Sequence, residues 1–188
     1  AGQFPDPATF ARPRGDDQSL ADWFQAGVDG AVATMATVAP GEPRWTWAKP
    51  DGGDTSDWYF RRIAQETLVH RIDAELAAAG EVSDVDATLA ADGIAEMFEV
   101  FTPLAAAQAI GGDGKTLHLH ATDADSEWLV TLHAARVDAA RGHAKGNAAL
   151  RGAARDLLLM VWGRDPLGAV EHLGDDSVIA TFRAAAKI

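Results

Sequence analysis

A glutamate, a histidine and an aspartate, Glu66, His70 and Asp73, stand four and three residues apart in the run WYFRRIAQETLVHRIDAELAAAG from Trp58 to Gly80. At ~100° per residue they share one narrow sector of a helix, with Tyr59 and Arg62 upstream in the same sector. Ile63 flanks that sector on one side, and Val69 with Leu76 on the other. The pattern aims two carboxylates and an imidazole at an apolar interior, where unpaired burial is costly. A metal ion would satisfy all three, because a carboxylate oxygen and an imidazole nitrogen one turn apart reach the same ion at ~2.0–2.2 Å. The competing reading is a Glu–His⁺ pair on a solvated face, worth ~0.3–0.5 kcal/mol. Asp73 is read as a supporting group that orients the imidazole of His70, with an ordinary exposed aspartate as the alternative.

The remaining chemistry-bearing residues give weaker signals. His118 and His120 stand two apart on an expected strand and therefore share a face. They could form half a metal site, but only Asp123 and His133 look like further ligands nearby, and cross-strand packing is the reading favoured. His143 and His172 read as surface residues. Arg164, in VWGRDP after an apolar helix, either caps that helix or lends positive charge to a pocket. No phosphate-binding glycine motif and no serine elbow is present. The chain has no cysteine, so any thiol chemistry requires a small-molecule thiol.

These residues need elements to position them. Leu20, Trp23, Phe24, Val28, Val32 and Met35 recur at helical intervals, with Asp17 or Ser19 placed to cap a first helix. APGEPRWTWAKPDGGD reads as a loop pinned by Trp45 and Trp47. Thr55 or Ser56 caps the Trp58–Gly80 helix, which Gly80 ends. A third helix from about Asp86 presents Leu89, Ile94, Met97, Phe98 and Phe101, and Pro103 stops it. Thr116–Ala121 and Trp128–Ala134 alternate as a hairpin. A strand is expected around Ala144–Arg151, a helix in ARDLLLMVWGR, a short strand at Ala169–Leu173 and a closing helix over Asp175–Lys187 capped by Asp175 or Asp176. The fold class expected is α+β, with a partial antiparallel helix bundle over residues 1–110 and a small α/β domain over 111–188, divided at the glycine-rich Gly111–Gly114.

With 188 residues and 47% hydrophobic content the chain can bury a sizeable core. A net charge of -12 without a basic cluster excludes a nucleic-acid footprint. The opening AGQFPDPATF resembles neither a signal nor a transit peptide, and no apolar run is long enough to span a bilayer, so a soluble cytoplasmic protein is expected.

The order of WYFRRIAQETLVHRIDAE, ADGIAEMFEVF, LHLHATDADSEWLV, RGAARDLLLMVWGR and GDDSVIATF resembles the actinobacterial mycothiol-dependent maleylpyruvate isomerase family. The resemblance implies a DinB-like bundle joined to a sterol-carrier-like α/β domain. It implies a divalent metal, expected to be zinc, held by Glu66 and His70, and a low-molecular-weight thiol such as mycothiol as second cofactor. The resemblance also implies an arginine that approaches the site from the C-terminal domain, and Arg164 is the candidate for it. The family's further histidine ligand lies upstream of anything in this sequence, so an additional N-terminal segment or a second copy of the chain is expected to complete the bundle. The expected activity is isomerisation or thiol transfer on a small electrophilic substrate. The alternative is a non-catalytic ligand- or protein-binding module with a vestigial or structural metal site, its groove floored by Leu157, Leu158, Leu159 and Trp162.

Overall fold

The computed structural model describes residues 16–49, 51–78, 80–104 and 110–186. The irregular lead-in expected over residues 1–16 lies almost wholly outside them. The protein is α+β, a helical N-terminal part followed by a sheet-containing part. It divides into two compact units, Ala1–Leu68 and Val69–Ile188. The division expected at residues 110/111 falls inside the second.

The first unit holds α1 (Asp17–Met35), a two-stranded antiparallel ribbon of β1 (Pro43–Arg44) and β2 (Asp54–Thr55), and the start of α2 (Ser56–Ala78). Asp16 rather than Asp17 or Ser19 caps α1, its carboxylate accepting from the Ser19 N–H at 2.7 Å. The apolar positions of α1 do not form a core face: Trp23, Phe24, Val28 and Val32 are between 39% and 64% exposed. The segment read as a plain loop contains the β1–β2 ribbon, and its tryptophans are pinned as expected. Trp47 stands edge-on to Trp58 with ring centroids 5.1 Å apart, and the Trp45 carbonyl accepts from the Tyr59 hydroxyl at 2.6 Å. Ser56 does not cap α2; its hydroxyl donates to the Ala39 carbonyl at 2.8 Å and ties the preceding loop down.

The second unit is organised around α5 (Ala154–Val161). Leu157, Leu158, Leu159, Met160 and Val161 are all at most 1% exposed. A helix apolar on every side needs cover on every side. α3 (Ala87–Glu96) packs against it, and β3 and β6 of the five-stranded sheet pack against it as well. The sheet order is β5 (Val137–Arg141), β4 (Glu127–Leu132), β3 (Thr116–Ala121), β6 (Ala148–Gly152) and β7 (Glu171–Gly174), antiparallel except for the β3–β6 pair. β5 was not anticipated, because VDAAR lacks the apolar alternation of a half-buried strand and lies along an edge. Leu117, Leu119, Trp128, Val130, Leu132 and Leu150 point to the core side. α6 (Asp176–Ala185), capped by Asp175, also packs on β3 and β6.

Pro103 does not end the third helix as expected. After α3 the chain forms a π-helical turn over Met97–Phe101 and continues into α4 (Thr102–Leu104). The wider turn offers a place for a residue without an N–H, and the Thr102 hydroxyl serves the Phe98 carbonyl at 2.9 Å. Leu157, Leu158 and Leu159, read as a groove floor, are instead at most 1% exposed among the described residues. Leu158→Ala should therefore lower unfolding stability by about 2–5 kcal/mol, read from urea midpoints at constant m.

Candidate functional site

The inward side of α2 is formed by Arg62, Gln65, Leu68, Val69 and Ile72, each at most 8% exposed. Glu66 and His70 lie off that line, with side chains 57% and 61% exposed. The sequence expectation that they face an apolar interior is thus corrected. The long polar side chains of Arg62 and Gln65 occupy inward positions that hydropathy alone assigns to the surface. Ile63 and Leu76, read as apolar flanks, are themselves exposed. Glu66 accepts from the Arg62 guanidinium at 2.6 Å.

His70 lies within a chain of charged contacts. Its Nδ1 is 3.0 Å from Asp73 Oδ2. Asp73 in turn receives both arms of Arg164, Nε to Oδ1 at 3.0 Å and Nη2 to Oδ2 at 2.6 Å. The third guanidinium nitrogen, Nη1, donates to the Trp162 carbonyl at 2.7 Å. A planar fork matched to a carboxylate is the strong form of this interaction. Arg164, and next desolvation and His70, set the Asp73 carboxyl; the hydrogen bonds dominate and hold it below its ordinary value. In a neutral ring, an Nδ1–H donated to Asp73 leaves the lone pair on Nε2, the nitrogen free to meet a metal.

Arg164 is delivered by the end of α5. Trp162 packs edge-on to Phe101 at 4.9 Å. The buried Asp156 accepts from the Leu167 and Gly168 N–H groups at 2.8 and 2.9 Å, fixing the loop beyond Arg164. The structure thus brings His70, Asp73 and Arg164 together. The carboxylate that Arg164 grips is that of Asp73.

A second constellation lies on the face of the sheet away from the core. His118 and His120 alternate with core leucines on β3, and Glu127 is the direct partner of His120 on β4. His143 comes from the β5–β6 connection. Glu127 Oε2 lies 2.7 Å from His118 Nε2 and 2.7 Å from His143 Nδ1, and Oε1 lies 3.2 Å from His120 Nδ1. Four ligand atoms, one from each residue, lie within 4.8 Å of one another, the only such group among the described residues. The favoured sequence reading of His118 and His120 as packing residues missed this group; His143 is on the surface as read, its side chain 79% exposed, and also joins the group. The expected companions are elsewhere: Asp123 accepts from the Ala154 N–H at 2.7 Å at the start of α5, and His133 pairs with Asp138 at 2.9 Å. The missed signal was Glu127, seven residues past His120 across a short turn, the spacing that a tight hairpin turns into a cross-strand pair.

Residues 1–75 match the mycothiol maleylpyruvate isomerase N-terminal domain, and residues 88–181 match the MDMPI C-terminal domain. The chain belongs to the mycothiol maleylpyruvate isomerase family. Among solved structures it is similar to a UbiJ-SCP2 ubiquinone synthesis protein at 21% identity, over 53% of this chain and 94% of that one, with a TM-score of 0.39. A search of the curated proteins finds no match. No described helix is long and apolar enough to cross a membrane.

The Arg164–Asp73 pair has a signature in acid. Because the folded pKa of Asp73 lies below its ordinary 3.8, the pair's stabilisation is complete above that value and fades as pH falls through the folded pKa. Asp73→Asn should therefore be less stable than wild type at neutral pH. That gap should close between about pH 5 and about pH 2, followed by denaturant midpoints in both proteins.

Proposed function

We propose that the chain is a mycothiol-dependent isomerase or transferase acting on a small electrophilic substrate, with a divalent metal, zinc by its N/O donors, held by Glu66 and His70. The observation that carries this reading is the match of both family domains in order along one chain. The donor chemistry on α2 fits in part. Glu66 and His70 supply a carboxylate and an imidazole at a one-turn spacing. Engagement of one Glu66 oxygen by Arg62 is compatible with metal contact, since a carboxylate has two oxygens. Among the described residues no third side chain joins them in a ligand group.

When bound, the metal supplies Lewis acidity that lowers the pKa of a coordinated thiol, making a thiolate available at neutral pH. The protein's own residues do the rest. Asp73 accepts the Nδ1–H of His70 and so fixes the ring and its tautomer, presenting Nε2. Arg164 holds Asp73 ionised and in place. Its guanidinium also supplies the positive charge that would draw a substrate carboxylate.

The test combines metal content with turnover. The zinc-loaded protein is expected to isomerise a cis-unsaturated keto-dicarboxylate, or to transfer mycothiol to an electrophile, only when the thiol is added. Glu66→Ala/His70→Ala should lose more activity than the ~10–100-fold that outer partners of a metal site typically command. Arg164→Lys, which cannot grip Asp73 with two arms, should fall within that ~10–100-fold range. A zinc-loaded wild type inert toward every thiol and electrophile pair would instead support a non-catalytic role.

A further inference from the structure

We infer that His118, His120, Glu127 and His143 form a second metal site, which binds a divalent transition ion and clamps the β5–β6 crossover onto the β3–β4 hairpin. The site is separate in sequence and element from α2, and the inference does not depend on the activity proposed above.

Three observations support it. The first is the donor set. Three imidazoles and one carboxylate make an N₃O group of borderline-soft and hard ligands, which suits zinc and its neighbours and not calcium or magnesium. The second is spacing. Tetrahedral coordination with bonds of ~2.0–2.2 Å separates the ligand atoms by roughly 3.4 Å. The contacts to Glu127 begin at 2.7 Å, and the whole group fits within 4.8 Å, so small side-chain movements suffice. His118 and His120 stand edge to face at 5.9 Å, and His118 and His143 likewise at 5.3 Å, so nitrogens from three imidazole rings converge on one carboxylate.

The third is the origin of the ligands. A single carboxylate is satisfied by two or three donors of any kind, yet here three histidines come from β3 and from the crossover. His118 is only 8% exposed although it lies on the side of the sheet away from the core. The crossover from β5 must pass β4 and β3 to reach β6. It is anchored at its two ends, by the Gly142 N–H to the Glu127 carbonyl and the Asn147 N–H to the Thr116 carbonyl, both at 2.9 Å. Between these anchors, His143 is the residue that reaches back to the hairpin, and its side chain is 79% exposed. An ion there would replace a weak solvated contact by coordination. Four protein ligands leave no open position, the pattern of a structural site. The neighbouring cation on this face, Arg151 opposite His120, is paired with Glu171 at 3.5 Å.

The experiment uses the full chain carrying Glu66→Ala/His70→Ala, so that any metal retained is not bound by α2. One equivalent of Co²⁺ should bind, with the intense visible absorption of a tetrahedral ion, and Zn²⁺ should displace it. Adding His143→Ala, a change at an exposed loop position, should weaken binding by at least ~10-fold, and adding His120→Ala as well should abolish it. Lys145 is exposed in the same crossover, so tryptic cleavage after it reports on the clamp. Zn²⁺ should slow that cut at least tenfold (about 1.4 kcal/mol) in the first protein and not in the variant lacking both histidines. Failure of the α2 variant to bind any ion, or binding and protection indifferent to His120 and His143, would overturn the inference. Circular dichroism of each variant separates loss of a ligand from loss of the fold.

Discussion

The burial of α5 on all of its sides is the constraint from which the second unit follows. Five consecutive apolar residues leave no face for water, so the helix is stable only with a sheet on one side and another helix, α3, on the other. Each such side chain contributes on the order of 1.5–3 kcal/mol on full burial. That force fixes the direction in which the helix ends, and so where Trp162 and Arg164 emerge. The buried Asp156 then pins the following turn through two backbone N–H groups. The position of Arg164 is thus a consequence of core packing, and its grip on Asp73 ties the end of α5 to the last turns of α2.

The Arg164–Asp73–His70 chain illustrates how a scaffold orients an imidazole through an intervening carboxylate. A bidentate guanidinium keeps the carboxylate ionised, and the ionised carboxylate faces Nδ1 of the imidazole; in a neutral ring that contact favours the tautomer whose distal nitrogen carries the lone pair. Each link depends on the one before it. Partial exposure of Asp73 and Arg164 tempers the energy of the pair but not its geometry.

The sheet carries a different logic on its two faces. Alternation puts Leu117, Leu119 and Ala121 of β3 against the helices and leaves His118 and His120 on the other side. On that outer face His120 stands opposite Glu127 and Arg151 while His118 stands opposite Leu129 and Ala149, and a crossover connection lies over them. Glu127 gathers three imidazoles there, and its carboxyl is held below the ordinary range by His143 first, then by His118 and His120, against a desolvation penalty. The same strand therefore contributes to hydrophobic cohesion and to a polar cluster, with no conflict because the period of two keeps them apart.

What the sequence by itself determined is what depends on near neighbours along the chain. Helical spacing located α2 and the one-turn interval between Glu66 and His70, the start of the third helix near Asp86 was legible, and strand alternation gave β3 to the residue. The ordered set of motifs indicated the family. Only the tertiary structure decided which way these faces point and which distant residues meet. Hydropathy aimed Glu66 and His70 inward, but Arg62 and Gln65 took that side of α2; a long side chain such as Arg62 can bury its stem and keep its charged end paired with Glu66. Arg164 reaches Asp73 across ninety-one positions, and His143 reaches Glu127 across sixteen. Contacts of that kind are set by the register of the sheet and the packing of α5, which no local period encodes.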